Sequence, residues 1–120
     1  MMRTILAVDD STSMRQMVGH VLREAGFRVI EASDGEEALE LARRERVDAV
    51  ITDHNMPRMD GLSLVRLLRA MDDYARTPIV LLTTESSDEM KQRGREAGAT
   101  GWMVKPFDPM RLIEMCRRIV

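Results

Sequence analysis

Five short apolar runs, separated by stretches of a different period, limit what this chain can fold into. Residues 4–8, 28–32, 47–52, 79–82 and 102–104 are mostly apolar, often β-branched, and too short for helices, so they read as strands. Between and after them apolar residues recur every three or four positions, as one face of a helix does. Met14, Met17, Val18, Val21, Leu22 and Ala25 form one such face; Ala38, Leu41 and Ala42 another; Leu64, Val65, Leu68 and Met71 a third. Leu112, Ile113, Cys116 and Ile119 form the last. Residues 86–96 have helical composition but a thin apolar face anchored by Met90 and Ala97, with Gly94 inside it. A helix-interior glycine costs about 1 kcal/mol relative to alanine, so this is expected to be the least stable helix. Five strands alternating with five helices imply a parallel sheet with right-handed crossovers and helices on both faces. The alternating run 28–32 belongs at an edge, and the runs at 49–52 and 79–82 read as buried strands.

Local signals agree with this division. Ser11, Thr12 or Ser13 can start the first helix and Gly26 can end it; Asp34 followed by Glu37 resembles a capping box; Asp108-Pro109 pairs an N-cap residue with proline at the first helical position. The length of 120 residues suits one domain, residues 1–120, without repeats or linkers. A net charge of −2 argues against a nucleic-acid surface. Arg43-Arg44 and Arg117-Arg118 read as solvated faces near helix C-termini. The single cysteine, Cys116, fits a reducing compartment. No apolar run approaches the roughly 20 residues of a membrane span, and Met2-Arg3-Thr4 lacks a signal-peptide pattern, so a cytoplasmic protein without membrane contact is expected.

In a sheet of this kind the ligand site lies outside the carboxyl ends of the strands. The polar residues found there are Asp9-Asp10, Asp53, Thr83 and Lys105. Asp53 follows an apolar strand and precedes Pro57 and Asp60-Gly61, which break regular structure, so it is expected at the strand mouth, on the edge of solvent. Taken singly, these residues could be helix caps, a strand residue and a surface charge; their shared location is what suggests a site. Three converging carboxylates repel one another and call for a cation, and Mg²⁺ suits a site offering two or three protein oxygens. Lys105 and the Thr83 hydroxyl can donate to an anionic oxygen. Acids with a metal on one side and these donors on the other would cradle a phosphoryl group, with Asp53 as the nucleophile.

The chain also resembles the response-regulator receiver domains, most closely the single-domain chemotaxis type. Asp9-Asp10, Asp53, Met56-Pro57, Asp60-Gly61, Thr83 and Lys105-Pro106-Phe107 carry the resemblance across the whole chain. It implies a flavodoxin-like, doubly wound sheet of order 2-1-3-4-5. It also implies that Asp53 accepts phosphate from a histidine kinase, with Mg²⁺ held by Asp10, Asp53 and the Asn55 backbone carbonyl and by Asp9 through water. Lys105 would pair with the phosphoryl group or Asp53, across a Lys105-Pro106 bond able to be cis. Thr83 and Trp102 would form the switch, Thr83 moving inward and Trp102 turning in behind it to change the surface of the fourth helix, fifth strand and fifth helix. Asn55 and Glu85 match the chemotaxis type at positions that influence the attacking water, which implies self-dephosphorylation within seconds to minutes. Trp102 replaces a smaller aromatic, and Thr84 a commonly smaller residue, which would hinder the inward rotamer and narrow the site entrance.

The resemblance implies a monomeric switch whose output is binding, to a flagellar motor switch protein or another target, with a phosphatase as a further partner. The chain ends directly after the fifth helix, so no DNA-binding domain is expected. A relay of phosphate, or control of a non-motor partner, is the alternative. An Mg²⁺-dependent phosphohydrolase is less favoured because Asn55 stands where such enzymes place a second acid. A flavin protein is disfavoured because Asp9-Asp10 would repel the FMN phosphate.

Overall fold

In the computed structural model, which describes residues 2–120, strands and helices alternate. In order they are β1 (Thr4–Val8), α1 (Thr12–Glu24), β2 (Arg28–Ala32), α2 (Gly35–Arg44), β3 (Ala49–Asp53) and α3 (Gly61–Arg69). A single 3-10 turn (Asp72–Tyr74) precedes β4 (Ile79–Thr83), α4 (Asp88–Ala97), β5 (Gly101–Val104) and α5 (Pro109–Ile119). The strands form one parallel sheet in the order β2-β1-β3-β4-β5, with the alternating β2 at an edge as its pattern predicts.

Because successive strand residues point to opposite faces, the sheet splits the core in two. Leu6, Val8, Val50 and Leu81 face α2, α3 and α4, while Ile5, Ala7, Ile51 and Leu82 face α1 and α5. The helix ends follow local chemistry. Ser11, Asp34, Asp60, Ser87 and Asp108 are N-caps, each accepting a backbone N–H from the first turn. Glu37 reaches back past the cap to the Ser33 N–H, so the expected box closes one residue earlier. Gly26, at φ +98°, carries the chain out of α1 in the left-handed region that glycine tolerates.

Several boundaries differ from expectation: β3 starts at Ala49, β4 continues through Thr83 and β5 starts at Gly101. The fourth helix begins at Asp88, because Ser87 supplies the cap, and β3 continues through Asp53. The 3-10 turn has no periodic signal in the sequence; it is held by Tyr74, whose buried hydroxyl lies 2.6 Å from the Ala42 carbonyl and 2.9 Å from that of Glu45. These carbonyls close α2, so a side chain from a distant turn satisfies acceptors the helix leaves open.

Candidate functional site

The register levels the strand ends: Val8 lies beside Thr52, Asp53 beside Leu82 and Thr83 beside Val104. The next residues of β1 and β5 are Asp9 and Lys105, so the polar groups meet at one end of the sheet. Asp9, Asp10 and Asp53 each bring a carboxylate oxygen within 4.8 Å of the others. The Lys105 Nζ donates to Asp53 Oδ1 at 2.8 Å and to Asp9 Oδ2 at 3.3 Å. The Lys105-Pro106 peptide bond is cis.

Asp53 departs from expectation. It lies at the carboxyl end of its strand but is 5% exposed, so the Lys105 ammonium rather than bulk water is its countercharge. Asp9 is 3% exposed and Asp10 is open to solvent. Burial raises the Asp9 carboxyl above its ordinary value; the Ser11 N–H bonded to Oδ1 lowers it, Asp53 adds to the rise, and Lys105 offsets part. For Lys105, burial pulls the ammonium down, but the hydrogen bond to Asp53 and the charges of Asp9 and Asp53 carry it above its ordinary value. The cluster therefore holds three carboxylates against one ammonium. That surplus of hard oxygen donors fits a divalent cation such as Mg²⁺.

The loop after β3 is shaped by Gly61. A Cβ there would lie 2.5 Å from the Asp53 carbonyl oxygen and 2.8 Å from His54 Cα, so only glycine lets α3 start this close to Asp53. Arg58 takes the left-handed conformation, φ +69°, that carries the loop around. Asn55 and Glu85 are exposed at the rim. Thr83 is buried and its Oγ1 accepts the Glu85 N–H at 3.0 Å, which leaves the hydroxyl proton free to donate.

Trp102 lies on the α4 side, partly exposed, with the Lys91 ammonium 5.7 Å and the Arg95 guanidinium 5.5 Å from its ring centre. Between Trp102 and Thr83 is a cavity of about 10 Å³, also lined by Leu81, Met90, Gly94 and Ala99. That volume holds about one water, far less than an indole ring. A broader groove of about 420 Å³ lies by Arg46, Asp72 and Arg76, next to Pro78 at the entry to β4 and away from the acids. Its lining charges are of mixed sign. Burial pushes the Cys116 thiol up to about 12, so it is no nucleophile near neutral pH.

The sequence reading did not single out His54, Arg15 or Arg69. His54 is 8% exposed, and its Nδ1 has no partner among the described residues. The Arg69 Nε donates to the Gly98 carbonyl at 2.9 Å, and its Nη1 to those of Tyr74 and Thr77 at 2.7 and 2.6 Å. An arginine pinning the far end of α4 leaves no periodic trace in a sequence.

A five-stranded sheet of this order, with paired acids after β1, a carboxylate ending β3 and a lysine after β5, defines a signalling receiver. The chain belongs to the response regulator receiver domain family, which matches residues 5–117. Among relatives, it is 38% identical over 116 residues to the chemotaxis protein CheY-3 of Vibrio cholerae, covering 96% of this chain and 89% of that one. The structure of V. cholerae CheY4 superposes with a TM-score of 0.97 at 50% identity, over the full length of both chains. The receiver domain of the sensor histidine kinase PA1611 from Pseudomonas aeruginosa superposes at 0.90 with 31% identity, covering 99% and 98%. That structure has a magnesium ion coordinated in its active-site cleft.

Proposed function

We propose that this chain is a phosphorylation-activated switch in which Asp53 receives a phosphoryl group from a histidine kinase. The observation that carries the reading is the Lys105 ammonium bonded to Asp53 at 2.8 Å inside a cluster of three carboxylates. In the transfer, an Asp53 oxygen forms the new bond to phosphorus as the P–N bond of a phosphohistidine breaks, and the imidazole keeps the electron pair. Asp10, Asp53 and the Asn55 backbone carbonyl would hold Mg²⁺, with Asp9 acting through water, and the bound ion would neutralise the phosphoryl oxygens during transfer.

Lys105 orients Asp53 before transfer and pairs with a phosphoryl oxygen after it. Thr83 donates its hydroxyl proton to another oxygen, moves toward the site, and enlarges the cavity that separates it from Trp102. Trp102 then leaves Lys91 and Arg95 and turns inward, which changes the surface of α4, β5 and α5. Asn55 and Glu85, exposed at the rim, tune access of the hydrolytic water, so the phosphoryl group is lost within seconds to minutes. The chain assists its own phosphorylation and dephosphorylation and acts on no separate substrate. Similarity to the CheY proteins favours chemotaxis signalling by a cytoplasmic monomer, with a flagellar motor switch component as the target. Relay of the phosphate or control of a non-motor protein is the alternative output.

Intact-protein mass after incubation with Mg²⁺ and acetyl phosphate tests the chemistry. One phosphoryl adduct that requires Mg²⁺, decays on standing and is missing from Asp53→Asn is expected. No adduct on the native chain would overturn the reading.

A further inference from the structure

Arg15 lies near the start of α1, four residues after its N-cap Ser11, with no acidic residue in the first turn. A cation there faces the positive end of the helix dipole and gains nothing from α1. Its hydrogen bonds point elsewhere. Arg15 Nη1 donates to the Asp9 backbone carbonyl at 2.8 Å, and its Nε lies 3.4 Å from Glu31 Oε1 on β2. Glu31 Oε2 in turn pairs with Arg23 at 3.0 Å, and Arg23 Nη2 also donates to the Val29 carbonyl at 3.1 Å.

The result is a brace from β2, through two arginines of α1, to the peptide that joins Asp9 to Asp10. Arg15 and Glu31 are both largely shielded, at 16% and 24% side-chain exposure, so the brace is more rigid than a surface ion pair. Gly19 makes room for it. A Cβ there would come within 2.9 Å of Arg23 Nη1 and 3.0 Å of Glu31 Oε2, although glycine inside a helix is otherwise unfavourable.

We propose that Arg15, locked by Glu31, is a positioning residue for divalent-cation binding: it fixes the Asp9-Asp10 peptide so that both carboxylates face Asp53. The inference rests on the metal-binding reading above. It makes a prediction opposite in sign to simple electrostatics. A guanidinium this close to a cation site repels the incoming ion, so losing its charge alone would tighten Mg²⁺ binding. If positioning dominates, removing Arg15 weakens binding, as loss of outer-shell support at metal sites does, by about tenfold or more.

The test is titration with Mg²⁺ alone, followed through the amide chemical shifts of Asp10 and Asn55, in the native chain, Arg15→Met and Arg15→Lys. Methionine keeps the apolar stem of Arg15 and lysine keeps its charge, and thermal melts establish that both variants fold. The expected result is affinity about tenfold weaker for Arg15→Met and weakened by less for Arg15→Lys, whose single ammonium cannot span Asp9 and Glu31 as the fork does. Phosphorylation by acetyl phosphate at saturating Mg²⁺ is expected to return toward the native rate in both. Affinity unchanged or tighter in Arg15→Met, together with native affinity in Arg15→Lys, overturns the positioning role. No saturable shift in the native chain would remove the metal-binding reading itself, and this proposal with it.

Discussion

Gly94→Ala probes the coupling of stability and switching in α4. Gly94 is buried, yet a Cβ built there meets no atom within 4 Å, because it borders the cavity between Thr83 and Trp102. The added methyl therefore enters space already present. Replacing a helix-interior glycine with alanine contributes about 1 kcal/mol, and burying one methyl group adds up to about 0.8 kcal/mol. With a shift of about 4 °C per kcal/mol for a chain of this size, the melting temperature should rise by about 4–7 °C. The same methyl occupies part of the space that Trp102 needs in order to turn inward. Trp102 is the single tryptophan, so its emission reports the ring without interference. In Gly94→Ala the emission change on adding acetyl phosphate and Mg²⁺ should shrink while the phosphoryl adduct on Asp53 still forms. Calorimetry gives the first quantity, and fluorescence beside intact mass gives the second. An unchanged or lower melting temperature would refute the argument, since it would mean that the methyl meets a contact the cavity does not contain. A higher melting temperature with an undiminished emission change would sink the claim that Trp102 uses this space.

Two further outcomes follow from the buried polar groups. The Asp9 carboxyl is raised above 3.8 by burial and by Asp53, so the folded chain holds that proton more tightly than the unfolded chain. Its contribution to stability then falls as pH climbs from 3.8 through the folded value and stays unfavourable at neutral pH. Asp9→Asn should accordingly melt higher than the native chain at neutral pH without divalent ions and lose that advantage below 3.8. Mg²⁺ should close the gap by stabilising the native chain, and a lower melting temperature for the variant in metal-free neutral buffer would contradict this. Tyr74→Phe removes the hydroxyl that satisfies the Ala42 and Glu45 carbonyls and receives the Val47 N–H. Loss of a buried partner costs about 1–3 kcal/mol, so denaturant unfolding should shift to lower midpoint with phosphorylation of Asp53 intact; an unchanged midpoint would show that water replaces the hydroxyl.

The architecture was readable from periodicity because a parallel strand and an amphipathic helix bury their side chains in different patterns. The continuous run at 79–82 and the alternating run at 28–32 fell into the interior and the edge for that reason. Caps were readable because Ser11, Asp34 and Asp108 act on N–H groups two or three residues away, a range over which sequence and space coincide. That Asp9, Asp10, Asp53 and Lys105 meet also followed from sequence, since parallel strands bring their carboxyl ends to one edge.

What tertiary structure alone decided is how those groups are held. Asp53 looked like a solvent-edge carboxylate because loop-forming residues follow it; it is buried because Gly61 brings α3 within contact of its carbonyl and Lys105 arrives from 52 residues away. Tyr74 closing α2, Arg69 pinning α4, and Arg15 reaching Asp9 while braced by Glu31 are contacts set by how helices pack on the sheet. A side chain's periodicity tells which face it occupies, and the distance to its partner is fixed only when the elements are packed together.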